Sequence, residues 1–278
     1  MKGVIIKMIK IVIPGKPMSK SNSKAINKYG KSYIPSEYKE YEDRVIMACR
    51  EAYKGEPIDE KCIMILKLYF ADKRSRDAHN YPKSICDGIE KSGLISNDKL
   101  FKPVYIKEYR VDSNPRAEVE IYKQSEYEYK FKLKPLKDKS CYTPVTVPGN
   151  PISKSNFKLN KNGGKAWMPT KGKYSKYNDY EVKVAWECMQ AHRANPIDVE
   201  SILVLDLYFN QNRTRDIHNY PKSICDGIEK GGVVTNDSLF KEIVIREFID
   251  KENPRAEIAI LPKTDFKLEY TVEEKTKG

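Results

Sequence analysis

The chain has 278 residues, of which 40% are hydrophobic and 32% are charged, and its formal net charge is +12 at pH 7. This length allows two ordinary domains, each large enough to bury its own core. No apolar run approaches the roughly 18 to 20 residues that a membrane-spanning helix requires, and the apolar part of the N-terminal segment is too short for a secretory signal. These exclusions predict a cytoplasmic protein. Its positive charge suits either a polyanionic partner such as nucleic acid or a merely lysine-rich surface.

The six cysteines show no C-x-x-C spacing. Structural metal sites commonly use such spacing, and disulfide frameworks belong to small secreted chains. We therefore expect the cysteines to be buried free thiols.

The first half of the chain predicts a short strand, a helix and a buried strand, in that order. These elements are expected at residues 11–13, roughly 36–53, and 62–71, with the strands repeated at 145–147 and 202–210. The helix is predicted because apolar side chains recur every three or four residues between Tyr38 and Ala52. The second strand shows no polar alternation, which favours a central strand that is buried on both faces. Surface loops are predicted at residues 27–36 and 160–173.

A second helix and two closing strands complete each half. The helix is expected from about Asn80 to Ser92, with Asn80 or Tyr81 as its cap, Pro82 in its first turn and Gly93 at its end. The closing strands are expected at residues 104–111 and 117–122, and again at 243–249 and 256–261. This order of elements predicts an α+β domain with a small mixed sheet and two main helices.

The chain is internally repeated. Residues 76–91 return as residues 215–230 with a single substitution, Ala78 to Ile217, and the offset, 216 − 77 = 139, is half of the 278-residue chain. Such repetition indicates one domain written twice. We predict a first copy at residues 1–123, a linker at 124–142 and a second copy at 143–278, with a frayed polar end from residue 266. Two tandem copies in one chain are typical of a pseudo-twofold homodimer that has been fused.

The repeated stretch carries residues that can form a metal site. Asp77 and His79 would stand at the mouth of the preceding strand, with both side chains on one face. The helix leads away and the next segment can return the same distance, so we expect Asp98 to rejoin Asp77 and His79. Lys83 would reach over the site, and Asp87 would support it. Carboxylates suit a hard divalent ion, which can activate water at a phosphodiester.

The second copy repeats this set as Asp216, His218, Lys222, Asp226 and Asp237. The chain has three histidines, and two of them stand at this position. The alternative is a purely structural motif, namely a salt-bridged helix start with a capping asparagine. Because the motif is retained while the rest of the two copies has diverged, a working site in each copy is favoured.

The motif Arg-Asp-x-His-Asn-x-x-Lys-x-x-x-Asp, followed by Asn-Asp, resembles the signature of RusA-type Holliday junction resolvases. That family has Arg-Asp-x-Asp-Asn-x-x-Lys-x-x-x-Asp, followed by Asp-Asp. The segments Pro-Met-Ser-Lys-Ser-Asn (residues 17–22) and Pro-Ile-Ser-Lys-Ser-Asn (residues 151–156) also resemble its N-terminal loop. The resemblance implies a small homodimeric nuclease of DNA recombination and repair, often phage-borne, that needs Mg²⁺ or Mn²⁺ and cuts four-way DNA junctions symmetrically.

The resemblance carries functional residues onto both copies. The catalytic aspartates, lysine and preceding arginine of the family fall on Asp77, Asp98, Lys83 and Arg76, and on Asp216, Asp237, Lys222 and Arg215. The expected metal ligands are Asp77, His79, Asp98, Asp216, His218 and Asp237. These six residues, together with Lys83 and Lys222, are expected to be catalytic. DNA contacts are expected from Lys20, Asn22, Lys73, Arg74, Arg76, Asn80, Lys154, Asn156, Arg213, Arg215 and Asn219.

This sequence departs from the family pattern at two positions in each copy. His79 and His218 replace the second aspartate, and Asn97 and Asn236 replace the first aspartate of the Asp-Asp pair. Each copy thereby loses two negative charges, and imidazole suits Mn²⁺ or another transition ion better than Mg²⁺.

The leading hypothesis is a metal-dependent endodeoxyribonuclease, specific for branched DNA, with two sites in one chain. The first alternative is a junction-binding protein of the same fold whose chemistry is impaired by the aspartate-to-histidine change. The second alternative is a structural or inhibitory protein unrelated to DNA. Metal-dependent nicking separates the first two, and salt-sensitive junction binding separates both from the third.

Overall fold

A computed structural model of the chain describes residues 8–19, 25–26, 32–33, 35–153 and 175–276. The first half contains β1 (Ile9–Pro14), β2 (Ala25–Ile26), β3 (Ser32–Tyr33), α1 (Ser36–Ala52), β4 (Cys62–Phe70), α2 (Pro82–Ser92), β5 (Phe101–Arg110), β6 (Arg116–Lys123) and β7 (Tyr127–Pro135). The second half contains β8 (Thr143–Pro148), α3 (Ser175–Ala191), β9 (Ser201–Phe209), α4 (Pro221–Lys230), β10 (Phe240–Ile249), β11 (Arg255–Pro262) and β12 (Phe266–Glu274). The predicted order of strand, helix, strand, helix and two closing strands is confirmed in each half. The loop predicted at residues 27–36 is corrected in part, because it contains β3, which pairs with β2. The loop predicted at residues 160–173 lies outside the described residues.

In the described part of the chain, eight strands form one mixed sheet in the order β1-β6-β4-β5-β10-β9-β11-β8. β4 runs parallel to β5, and β9 runs parallel to β10. The remaining pairs are antiparallel. β4 and β9 are buried along most of their length, as their largely apolar sequences predict. The predicted α+β class, with a mixed sheet in each tandem copy, is confirmed.

The two halves meet in the middle of this sheet. β5 and β10 pair antiparallel, and the pairs Ile106–Ile243 and Val104–Ile245 are exchanged by the repeat offset. A pseudo-twofold axis therefore passes between Tyr105 and Val244, and the two copies share one continuous sheet. This arrangement decides which residues can meet at the sheet ends.

The helices of each half cover one face of the sheet, and a glycine brings them close together. A Cβ atom on Gly88 of α2 would lie 2.6 Å from a side-chain carbon of Val45 of α1, and Gly227 stands in the same relation to Val184. No side chain fits at such distances, so glycine permits this helix–helix contact. The contact holds the helices that carry Lys83 and Lys222.

The other face of the sheet is covered by a strand pair, which corrects two predictions. Residues 124–142 were expected to be a linker and residues from 266 a frayed end, but β7 and β12 pair antiparallel over their full lengths. Alternate side chains of this pair, including Tyr127, Phe266 and Leu268, pack with Tyr105 and Val244. The alternation of aromatic residues with lysines is the pattern of a strand with one buried face. The boundaries of the two copies stay a prediction.

Two smaller observations concern the cysteines and the helices. All cysteines are free, and five are buried as predicted, whereas Cys141 is exposed. Cys141 lies in the connection between β7 and β8. Among the described residues, no helix is both long enough and apolar enough to span a membrane.

Candidate metal centres across the two halves

The repeated motif begins in the turn that follows each central strand. Asp77 adopts an extended conformation (φ −85°, ψ 92°), and residues 78–80 form a short 3-10 turn before α2. Asn80 Nδ2 donates a hydrogen bond to Asp77 Oδ2 at 3.1 Å. Asn80 therefore orients Asp77. Tyr81 is the cap residue of α2, which confirms the prediction that Asn80 or Tyr81 caps this helix, and its side chain makes no capping hydrogen bond.

The N-terminal loop is held against the same motif. Ser19 Oγ donates to the carbonyl oxygen of Asn80 at 2.8 Å, and Ser84 Oγ donates to the carbonyl oxygen of Met18 at 2.5 Å. In the second half, the same bonds join Ser153 to Asn219 (2.9 Å) and Ser223 to Ile152 (2.6 Å). The Pro-x-Ser segments thus flank the motif. Four predicted DNA-contacting residues of these segments lie outside the described residues: Lys20, Asn22, Lys154 and Asn156.

Each motif meets the last aspartate of the opposite half. His79 Nε2 lies 3.6 Å from Asp237 Oδ2. In the mirror arrangement, His218 Nε2 lies 3.5 Å from Asp98 Oδ2. Donor atoms of Asp77, His79 and Asp237 all lie within 4.8 Å of one another. The expectation that Asp98 rejoins Asp77 and His79 is therefore wrong.

The strand directions explain this correction. β4 has 9 residues, about 30 Å of extended chain. Because β4 and β5 are parallel, Asp77 after β4 and Asp98 before β5 stand at opposite ends of the sheet. β10 runs antiparallel to β5, so Asp237, just before β10, returns to the end where Asp77 lies. A centre at either end must therefore draw on both halves.

The lysine of each half also acts on the centre that holds the motif of the opposite half. Lys222 acts electrostatically on His79, and Lys83 acts on His218. We call the group Asp77, His79, Lys222 and Asp237 the first centre. The group Asp216, His218, Lys83 and Asp98 is the second centre. All eight residues predicted to be catalytic are brought together in these two groups, four in each.

The charged groups of each centre crowd one another. Burial, together with Asp216, Glu90 and Asp87, raises the pKa of Asp98 to about 7. Burial, together with Asp77, Glu229 and Asp226, raises the pKa of Asp237 to about 7. Ionised carboxylates in such a position repel one another, and a bound cation would relieve the repulsion. The supporting roles predicted for Asp87 and Asp226 are compatible with these positions.

The two histidines are buried and neutral. Burial lowers the pKa of His79 and of His218 to about 4, against the opposite influence of Asp77 and Asp216. Within the described residues, neither ring nitrogen of either histidine makes a hydrogen bond. A buried, neutral imidazole with an open lone pair beside carboxylates fits a divalent cation. The donor set of two carboxylates and one imidazole is thus suited to such an ion.

Sequence reasoning missed the residues that position the last aspartate. Asn97 Oδ1 accepts a hydrogen bond from the Lys99 N–H at 3.1 Å, and Asn236 Oδ1 accepts one from the Ser238 N–H at 3.0 Å. The asparagines therefore cap the short turns that hold Asp98 and Asp237. Glutamates of the repeated helix assist: Asn97 Nδ2 donates to Glu90 Oε1 at 3.3 Å, and the Asp237 N–H donates to Glu229 Oε2 at 3.1 Å. Both glutamates occur at the same position of the repeat, which was the available signal.

A buried ion pair between the halves lies near each centre. Lys241 Nζ lies 3.0 Å from both carboxylate oxygens of Glu108 and 3.5 Å from the carbonyl oxygen of Arg76. Its repeat counterpart joins Lys102 to Glu247 at 2.6 Å. Each lysine and its glutamate come from different halves. Charged residues at identical positions of β5 and β10 were the sequence signal for these pairs.

The basic turn before the motif presents only some of its predicted DNA-contacting side chains. Arg76 is buried. Its guanidinium lies 4.1 Å from the centre of the Phe70 ring and forms an ion pair with Asp72. Lys73, Arg74 and Arg213 are exposed, while Arg215 is half-buried, and Asn80 and Asn219 are buried. DNA contact by these residues stays a prediction, and their exposure favours Lys73, Arg74 and Arg213.

Comparison with known proteins finds similarity in both halves. The family described as Endodeoxyribonuclease RusA matches residues 14–122 and 148–261. A Crossover junction endodeoxyribonuclease RusA from Aquifex aeolicus (strain VF5) is 32% identical over 112 residues, which span 40% of this chain and 85% of the relative. The matched segments include both centres and exclude the paired strands β7 and β12.

Proposed function

The chain belongs to the endodeoxyribonuclease RusA family, and on that premise we propose that it is a divalent-metal-dependent endodeoxyribonuclease that resolves four-way DNA junctions by paired, symmetric nicks. The observation that carries this proposal is the pair of composite centres. Each centre joins two aspartates and one buried histidine, whose ring nitrogens make no hydrogen bond among the described residues. Two such centres, related by the pseudo-twofold axis, match the approximate twofold symmetry of a four-way junction.

The residues of the first centre have separate roles in this proposal. Asp77, His79 and Asp237 hold the ion, and Asn80 and the Asn236 turn keep the two aspartates in place. When bound, the ion supplies a polarised water and compensates charge at the phosphodiester. Lys222 stabilises the negative charge that develops on the phosphate oxygens. His218, Asp216, Asp98 and Lys83 take the same roles in the second centre.

The branched DNA is held by positive charge outside the centres. The net charge of +12 and the exposed Lys73, Arg74 and Arg213 beside the motifs suit a polyanion. Phosphate contacts position a duplex but carry no sequence information, so binding should follow the shape of the junction. Binding and cleavage should therefore be separable by mutation.

The imidazole ligand bears on the choice of ion. Mg²⁺ prefers oxygen ligands, whereas Mn²⁺ accepts an imidazole nitrogen more readily. With His79 and His218 at the centres, we propose Mn²⁺ as the preferred ion and Mg²⁺ as a weaker substitute. An ion of either kind would also satisfy Nε2 of each imidazole, which is the nitrogen that faces the aspartate of the opposite half.

A second candidate function rests on the same histidines. A neutral histidine in place of aspartate lowers the negative charge of each centre, which would weaken the hold on a divalent ion. The chain would then bind junctions without cutting them efficiently. The exposed basic turns serve this function as well as the first.

The test uses a labelled synthetic four-way junction and protein freed of metal by a chelator. We expect no cleavage without added ion, and paired nicks with Mn²⁺. The double variant Asp77→Asn/Asp216→Asn should lose cleavage and still bind the junction, because it loses one ligand at each centre. Binding without cleavage at any concentration of Mn²⁺ or Mg²⁺ would instead identify the junction-binding function. Full cleavage by the double variant would reject the assignment of the centres.

A further inference from the structure

The two centres contain the same residue types but differ in the residue that follows the last aspartate. Ser238 follows Asp237 in the first centre, and Lys99 follows Asp98 in the second. Ser238 is buried, and its Oγ accepts a hydrogen bond from Ser75 Oγ of the opposite half at 2.5 Å. Lys99 is half-buried and acts electrostatically on Asp98. An ammonium group therefore stands beside the second centre where the first has a neutral hydroxyl.

The donor atoms are also arranged differently. Asp77, His79 and Asp237 offer donor atoms that all lie within 4.8 Å, and among the described residues this is the trio that meets that distance. In the second centre, Asp216 Oδ1 is buried without a hydrogen-bond partner in the described part of the chain. The first centre is thus the more compact of the two.

The buried ion pairs near the two centres also differ in how completely their carboxylates are bonded. Both carboxylate oxygens of Glu108, near the first centre, lie 3.0 Å from Lys241. Near the second centre, Glu247 Oε1 lies 2.6 Å from Lys102, whereas Glu247 Oε2 has no hydrogen-bond partner among the described residues. The surroundings of the first centre are therefore more completely bonded.

From these differences we propose that the two centres are not equivalent, and that the first centre binds its divalent ion more tightly and is filled before the second. Donor atoms that already lie close together need less rearrangement to surround an ion. The Lys99 ammonium repels a divalent cation, a penalty that Ser238 does not impose. The inference rests on the proposed function, since it concerns the ions that the centres hold. Its consequence is an order of strand cleavage when the ion is scarce.

Calorimetric titration of the metal-free, full-length chain with Mn²⁺, together with the electron paramagnetic resonance signal of free Mn²⁺, measures both centres. We expect two classes of site whose dissociation constants differ by about tenfold or more. Asp77→Asn should remove the tight class, and Asp216→Asn should remove the weak class. These two variants assign each class to its centre without any measurement of cleavage.

Substitution of Lys99 tests the cause. Lys99→Ser and Lys99→Gln should both tighten the weak class several-fold and leave the tight class unchanged, because each removes the ammonium beside Asp98. Lys132→Ser provides the matched control, since it removes the same charge from an exposed position of β7. The control should leave both dissociation constants unchanged, and circular dichroism of each variant checks that the fold is retained.

The outcomes separate this inference from the proposed function. Two equivalent sites, or loss of the weak class in Asp77→Asn, would overturn the inference and leave the metal centres intact. Lys99 variants that bind like the wild type would overturn the role given to Lys99. A chain that binds no Mn²⁺ at all would reject the proposed metal centres together with this inference.

Discussion

His79 and Asp237 come from opposite halves of the chain, yet Nε2 of the imidazole lies 3.6 Å from a carboxylate oxygen of the aspartate. The pair exists because β10 runs antiparallel to β5 and returns Asp237 to the end of the sheet where β4 delivers the first motif. Neither half therefore holds a complete centre. The effect of a double substitution on cleavage should therefore depend on whether the two substituted residues belong to the same centre or to different centres.

The double variant Asp77→Asn/Asp237→Asn alters only the first centre, whereas Asp77→Asn/Asp98→Asn alters both centres. We expect Asp77→Asn/Asp237→Asn to retain nicking by the second centre. The cleavage rate of Asp77→Asn/Asp98→Asn should fall by a factor on the order of 10² or more, as when a transition-state contact is removed. Gel analysis of a labelled four-way junction measures both. The reverse ranking would mean that each centre is built within one half.

The single substitutions Asp77→Asn and Asp216→Asn should each leave one working centre. Resolution needs two opposed nicks, and the fused chain supplies both centres at a high effective concentration. Each single variant should therefore nick the junction once and seldom complete resolution. The ratio of nicked to resolved product, followed over time, measures this. A single variant that resolves junctions at the wild-type rate would show that one centre suffices.

The replacement His79→Asp together with His218→Asp should move the metal preference from Mn²⁺ toward Mg²⁺. The change exchanges a nitrogen ligand for an oxygen ligand and adds a negative charge to each centre. Cleavage rates with each ion, at matched concentrations, provide the measurement. A wild-type chain that works best with Mg²⁺, and loses activity in this variant, contradicts the role given to the histidines.

Asp98 and Asp237 should make the metal-free protein less stable at pH 8 than it would be with neutral residues there. Their pKa is raised from 3.8 to about 7 in the fold, chiefly by burial. The penalty is absent below the unfolded pKa, grows as the pH rises toward 7, and is complete above it. Asp98→Asn/Asp237→Asn should therefore raise the melting temperature more at pH 8 than at pH 5. An equal gain at both pH values would show that the carboxyls are not perturbed.

The buried histidines act in the opposite sense, which makes the variant comparison necessary. Their pKa is lowered from 6.5 to about 4 in the fold, so their contribution to stability is present above pH 6.5 and is lost as the pH falls toward 4. The wild-type curve alone mixes both effects. The difference in melting temperature between wild type and the asparagine variant at each pH reports on the carboxyls, because both proteins retain His79 and His218.

The buried pair of Lys241 and Glu108 joins the halves, and removing one partner should destabilise the chain strongly. Glu108→Gln leaves the Lys241 ammonium buried without its counter-charge, at a cost of about 3 kcal/mol or more. Replacing both, as Lys241→Met/Glu108→Leu, should cost less, because no charge is then left unpaired. Denaturant unfolding of both variants measures the difference. A double variant less stable than Glu108→Gln would show that the pair itself stabilises the interface.

The sequence by itself determined the repeat, the order of the elements and the residues that carry the chemistry. The helical spacing in α1 and the largely apolar sequences of β4 and β9 are local patterns, which can be recognised without the tertiary structure. The motif that holds Asp77, His79 and Lys83 was recognisable because it recurs almost unchanged in the second half. The alternation in β7 was also present, but its lysines and the absence of a visible partner concealed it.

Only the tertiary structure decided which residues meet. The strand that pairs with β7 is β12, more than a hundred residues away, and the aspartate that joins Asp77 is Asp237 rather than Asp98. Both pairings depend on the direction in which strands from different halves run, and local spacing carries no information on that direction. The difference between the centres could not be predicted for the same reason. Lys99 and Ser238 lie beside a centre only when the two halves pair, as the contact of Ser238 with Ser75 of the opposite half shows.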